Sequence, residues 1–390
     1  MSGSTHKVPA LVTLVQSRAL MAGGIGLLAC LVGGLLQPAA FFLSYLLAFL
    51  FWTGVGVGCL SLLFIQHLTG GRWALIRRVL EAGTRTLRFM AIAFLPILLG
   101  LSQIYPWASG AKDAATLEIV HKKGWYLNGG FFLGRAVFYF LIWISVAYFA
   151  SLWSRRLDTA DDRRRLERNL RGLAGGGLVL LGLTITFSSI DWAMSIEAHW
   201  YSTIYGILFM VGQVLSAFTL AILLLAALAD EEPFRSVVTR ETVHDLGKLL
   251  FAFVMLWAYV QLSQFLIVWS ANIPEEIPWY IRRTTGGWKY LAWLIIAAHF
   301  VLPFLALLSR GRKRDLRQLA IVAAVVFAAR WLDLFWLVAP SVRVQFSVHW
   351  LDLAAAVGLG GVWIALFARE LAREPLLPLN EPELATGGHA

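Results

Sequence analysis

Long apolar runs alternate with short polar stretches along the whole chain. The runs cover residues 19–37, 39–66, 88–105, 130–152, 172–190, 203–229, 247–270, 289–308, 318–339 and 348–368. Each is close to the ~20 residues with which an α-helix crosses a hydrocarbon core of ~30 Å. The pattern predicts an all-α integral membrane protein of about ten transmembrane helices over residues 19–370, with polar tails at 1–18 and 371–390. The opening MSGSTHKVPALVTLVQSR lacks a short apolar core followed by a small-residue cleavage site, so the first run reads as a retained helix. In the second run, GVGVG places Gly54 and Gly58 four apart. They either admit a neighbouring helix closely or merely loosen their own.

Composition agrees with this reading. Charged residues make up 14% of the chain, against roughly 25% in a soluble domain, too few to cover a water-facing surface. The net charge of +10 is explained by where the cations fall. Most lie in connections on one side, from Arg72–Arg88, Arg155–Arg171, Arg235–Lys248 and Arg310–Arg317 to both tails. The other side holds only Lys112, Lys122, Lys123, Arg282, Arg283, Lys289 and Arg343, while Arg135 and Arg330 sit within helices. By the positive-inside rule both termini are expected in the cytoplasm. A basic pI set in this way calls for a lipid bilayer and no nucleic acid. Trp107, Trp125, Trp192, Trp200, Trp279 and Trp288, near predicted helix ends, read as interfacial anchors.

Ionisable groups inside spans are costly and mark function by default. Arg135 enters helix 4 from the outer side, and Asp191 ends helix 5 there. Arg330 and Asp333 share one side of helix 9. His349 and Asp352 open helix 10, Glu197, His199, Glu275 and Glu276 fall in outer loops, and His299 lies near mid-membrane in helix 8. Tyr259, Gln261 and Gln264 form a candidate polar face on helix 7. Each has a plainer reading: a structural Arg330–Asp333 pair, His349 and Asp352 as caps, Arg135 reaching the headgroups, and His299 as a satisfied core residue. The inner half is poor in such groups, with His67 and Lys248 as its examples. Cys30 and Cys59 are too few for an iron–sulfur cluster, and only His67 and His299 are deep enough to ligate a haem. The expectation is a chain that binds no metal of its own.

Two outer segments stand out. SSIDWAMSIEAHWYSTIYG spans 188–206 and QLSQFLIVWSANIPEEIPWYIRR spans 261–283. Both set carboxylates among aromatics, and Pro274 and Pro278 stiffen the second. These motifs, carried by Ser189 to Thr203 and by Gln264 to Tyr280, are similar to those of the second quinone-binding membrane subunits of alternative complex III, the bacterial quinol:cytochrome c oxidoreductase. Those subunits belong to the wider NrfD-like (polysulfide reductase membrane-subunit) family. The resemblance implies two four-helix bundles, helices 2–5 and 6–9, flanked by helices 1 and 10. It implies the bacterial inner membrane and, as partners, a sister NrfD-like subunit, an iron–sulfur subunit and c-type haem subunits. A quinone or menaquinone is the expected substrate. In that family the quinol site is usually placed in the sister subunit, and proton conduction is suggested for this one. Arg135, Asp191, Glu197, His199, His299, Arg330, Asp333, His349 and Asp352 are then the candidates for proton relay or quinone proximity. A secondary transporter and a purely structural scaffold of the same complex are the rival readings.

Overall fold

The computed structural model describes residues 9–110, 114–158 and 163–378. The outer parts of both expected tails, 1–8 and 379–390, lie outside them. Every element among the described residues is helical, and ten are long and apolar enough to cross a membrane. They are α1 (Ala10–Leu36), α2 (Pro38–Thr69), α3 (Arg72–Leu99), α4 (Gly129–Leu157), α5 (Arg163–Ile196), α6 (Tyr205–Leu228), α7 (Arg240–Ala271), α8 (Trp288–Leu308), α9 (Leu316–Ser341) and α10 (Trp350–Ala372). The chain is a multi-pass membrane protein by this architecture. The connections divide between an Arg-rich end and an Arg-poor end, the latter holding the segments 100–110, 114–128, 197–204, 272–287 and 342–349.

The helices gather as α2–α5 and α6–α9, joined mainly where α2 meets α6, with α1 lying along α10 outside them. The central α2 is buried on all sides. Glycines set its closest approaches. A Cβ on Gly58 would overlap the Gln213 carbonyl of α6, and one on Gly54 would come within 2.9 Å of Gln213 Cγ. The close-approach reading of GVGVG therefore holds. The α1–α10 pair uses the same device, since a Cβ on Gly26 would stand 2.6 Å from the Gly358 nitrogen. The opposite side of α1 carries exposed Leu20, Ile25, Leu28 and Leu35, suited to lipid tails.

The three helix starts that differ most from expectation do so for identifiable reasons. The first helix starts at Ala10, so residues 10–18, read as tail, are helical. The third starts at Arg72 rather than 88, after a reversal at Gly70 and Gly71, whose φ values of 65° and 97° suit glycine. Charge at Arg77, Arg78 and Glu81 signals a loop in the sequence, yet all three are buried, with Arg78 and Glu81 in ion pairs. The fifth starts at Arg163, because the basic residues 163–171 form its first turns rather than a loop. Within α8, residues Ile296–Val301 form a π-helical turn. Pro303 has no N–H to return to the carbonyl four residues back, and its ring crowds that carbonyl, so the wider turn relieves the clash.

Candidate functional site

Two buried aspartates organise the Arg-poor half of the bundle, one in each helix group. Asp191, at the end of α5, faces Arg135 of α4. The guanidinium grips it with both arms, Nε to Oδ2 at 2.8 Å and a terminal nitrogen to Oδ1 at 2.8 Å. Tyr139 donates its hydroxyl to Oδ2 at 2.7 Å. Arg135 donates further to the Tyr126 carbonyl at 2.9 Å and lies 3.8 Å over the Tyr126 ring. Burial first, then the nearby Asp191 charge, pushes the Tyr126 hydroxyl above its ordinary pKa, so it stays protonated. Next to the carboxylate, Trp192 is enclosed by Phe49, Phe94, Phe140 and Trp143. Asp191 is thus closed off by a fixed cation and a fixed donor. The snorkelling alternative for Arg135 is set aside, since its head is turned inward.

Asp333, on α9, is built differently. Its cation is Arg330, one turn earlier on the same helix, whose guanidinium contacts Oδ2. From α7, Trp257 donates to Oδ2 at 3.1 Å and Gln261 to Oδ1 at 3.0 Å. A Cβ on Gly212 of α6 would strike the Arg330 head, so that glycine makes room for the guanidinium. His299, in the π-turn of α8, stands edge-on to Trp257 with ring centres 3.9 Å apart. It is completely buried, and neither ring nitrogen has a hydrogen-bond partner in the protein. Gln264 is 1% exposed with its amide equally unpartnered. Buried polar atoms without partners cost about 1–3 kcal/mol each, and here both nitrogens of an imidazole and both ends of an amide lie near a buried carboxylate. Core histidines normally find partners, and among the protein's side chains and backbone His299 has none. Tyr259 does not join Gln261 and Gln264. It is 68% exposed on the far side of α7, because a two-residue step turns a helix by about 200°.

The two segments singled out in the sequence fold onto each other at the Arg-poor end. Arg283 is fully buried beneath Glu197, with a terminal nitrogen 3.1 Å from Oε1. It also donates to the Leu337 carbonyl and to the Ser341 hydroxyl, each at 2.8 Å. Ser341 in turn donates to Glu197 Oε1 at 2.7 Å. The guanidinium lies 3.6 Å over the Trp279 ring, and Trp279 stacks on Trp200 with centres 4.5 Å apart. Burial pushes the Arg283 guanidinium down to about 10, with Glu197 pulling the other way, so it remains a cation near neutral pH. Tyr205 lies within electrostatic reach of this clasp and of the Arg330–Asp333 pair. Arg283 was counted in the sequence only as a loop charge. Its place among Pro278, Trp279 and Tyr280 was the available signal.

The remaining candidates sit apart. His349 caps α10, accepting from the Leu351 N–H at 3.3 Å, while Asp352 accepts from the His349 N–H at 2.8 Å. Asp352 is paired with Arg343 and takes the Ser44 hydroxyl at 2.5 Å. The capping reading is the one the geometry gives. His199 is exposed and bonds Thr116 at 2.8 Å. The sequence-based reading misses the Arg-rich end. There Glu81 is fully buried against Arg78 at 2.7 Å and accepts from the Ser154 hydroxyl at 2.5 Å. Arg78 also contacts Asp158, and Glu374 beyond α10 receives Arg85 at 2.7 Å. Most of the tryptophans expected at the interface are core residues. Trp192, Trp200, Trp279 and Trp288 are all buried, and Trp125 is 77% exposed.

The chain matches no family model, and no curated protein matches it in sequence.

Proposed function

We propose that this chain is a membrane subunit of a quinol:electron-acceptor oxidoreductase of the alternative complex III type. It would lie in the bacterial inner membrane with both termini cytoplasmic, carry protons for quinol oxidation at the periplasmic side and hold no redox metal itself. The observation that carries the reading is the pairing of segments 188–206 and 261–283 through Glu197–Arg283 and Trp200–Trp279. The segments that resemble that family are the ones this fold joins, and each runs into a helix group that buries an aspartate. Carboxylates, histidine and buried hydroxyls are the groups that relay protons within a membrane.

The role assigned here is proton handling rather than quinone contact. Gln264 and His299, whose polar atoms lack partners, are 1% and 0% exposed, so these residues do not fit a quinone head group as they are packed. Asp333 can accept a proton from one side while Arg330 stabilises its anion, and the vacant nitrogens of His299 can hold a proton or a water one ring away. The test is purification in mild detergent from the native membrane. Co-purification with c-type haem and iron–sulfur subunits is the expected result; a stable, haem-free lone protein that transports a solute in proteoliposomes would replace this reading with the transporter one.

A further inference from the structure

The first turns of α5 carry a second feature that the proton reading does not use. Arg164, Arg168 and Arg171 recur at four- and three-residue steps, so they share one side of the helix. All three side chains are exposed at the Arg-rich end. Together with Glu167 they line a cleft of about 470 Å³. The carboxylate in it is already held by Arg163, whose Nε donates to Glu167 Oε1 at 2.7 Å. Arg164, Arg168 and Arg171 thus leave the cleft strongly cationic. This differs from the neighbouring Arg78, Arg85 and Arg155, which are taken up by Glu81, Asp158 and Glu374.

The same helix side continues toward the membrane centre through Gly172, Gly175 and Gly176. A Cβ at any of these would meet nothing within 4 Å, so the helix surface is open there. Beyond these glycines lie Val179 and Leu183, which are 65% and 54% exposed. Guanidinium groups at headgroup depth, a shallow groove and then exposed aliphatics repeat the order of an anionic phospholipid: phosphate, glycerol, acyl chain. Arginine forks bind phosphate oxygens in pairs.

We infer that this face of α5 is a binding site for an anionic phospholipid, its phosphate held by Arg164, Arg168 and Arg171 and one acyl chain lying along Gly172 to Leu183. The site depends only on the membrane-spanning architecture, and its failure would leave the proposed function untouched.

The experiment is native mass spectrometry of the full-length protein released from mild detergent and titrated with cardiolipin, phosphatidylglycerol, phosphatidylcholine or inorganic phosphate. Each basic residue near a membrane surface adds to the attraction for anionic lipid. The expected result is one tightly retained anionic lipid per chain, with phosphatidylcholine and inorganic phosphate at least about tenfold weaker. R164Q/R168Q/R171Q should lower retention about tenfold or more. R235Q/R314Q/R317Q, which removes the same charge from exposed positions elsewhere at this end, should leave it nearly unchanged. Equal losses in the two triple variants would overturn the inference in favour of diffuse attraction. Inorganic phosphate binding as tightly as the lipids would overturn it in favour of a free-anion site. The comparison among ligands uses the unaltered protein and decides the matter even where the first variant does not fold.

Discussion

Asp191 and Asp333 occupy comparable places, near the Arg-poor ends of α5 and α9, and are completed in opposite ways. Arg135 reaches Asp191 from another helix and binds both carboxylate oxygens. The pair therefore ties α4 to α5, and Tyr139 satisfies the acceptor that is left. Arg330 reaches Asp333 from the same helix and ties nothing together. The cross-links there come from the neutral donors Trp257 and Gln261 of α7. Around Asp191 the buried groups without partners are a phenol hydroxyl, Tyr126, and an indole N–H, Trp192, with no imidazole or side-chain amide among them. Around Asp333, His299 and Gln264 are buried with polar atoms unspent. A carboxylate clamped by a cation across helices is a structural fastener. One beside vacant donors and acceptors, next to a π-turn, is a place where protonation can change without unfolding the bundle. Such turns are frequent at functional sites.

The comparison breaks most visibly under substitution of the first aspartate. Asp191→Ala strands the Arg135 guanidinium between the Tyr126 and Phe131 rings, and removal of one partner of a buried pair costs about 3–5 kcal/mol. The expected outcome is a large drop in thermal stability of the detergent-purified protein, or failure to accumulate in the membrane. Arg283→Ala should come next. It removes the charge-assisted bonds that hold the 197–204 and 272–287 segments together, worth about 2–3 kcal/mol, and should raise protease sensitivity of both segments at once. Trp257→Phe deletes a single donor to Asp333 and should cost about 1 kcal/mol in the same unfolding assay.

His299→Phe sharpens the contrast from the other direction. It replaces a buried ring without partners by a slightly bulkier one that needs none, so relief of the two unpartnered nitrogens should offset any overpacking and stability should hold or rise, while quinol turnover of the assembled complex falls. A large destabilisation with turnover intact would make His299 an ordinary core residue.

Much of the architecture was legible because the bilayer imposes one rule on every span. Ten apolar runs predicted ten helices, and GVGVG offered the close approach that α2 makes to α6 as one of two readings. The errors came from the opposite circumstance, where polar residues are buried by mutual pairing. Arg78 and Glu81 look like part of a loop because their partners Ser154, Asp158 and Glu374 lie far along the chain. The tryptophans of 192–288 look like lipid anchors because no local pattern distinguishes a ring stacked on protein from one at the interface. The candidate site was half legible. Asp191, Arg330 and Asp333 were singled out by charge inside apolar runs. Arg135 was seen without its partner, and Arg343, the cation of Asp352, was read as a loop charge. Their pairing depends on tertiary contacts that a linear pattern does not encode. Tyr259 was grouped with Gln261 by proximity in sequence, although helical geometry sends it to the other side.

The measurement that bears most directly on the account is proton release during quinol oxidation by the assembled complex in proteoliposomes, with the native chain compared against Asp333→Asn. Asparagine keeps the shape, but its single oxygen can accept from Gln261 or from Trp257 and Arg330, not from both sides, so the comparison is made on complexes whose full subunit content has first been verified. The account predicts that turnover or the number of protons released per electron falls by about tenfold or more, on the scale of losing a positioned proton-transfer group. Unchanged turnover with unchanged proton release in a fully assembled Asp333→Asn complex would contradict it and leave the chain a scaffold.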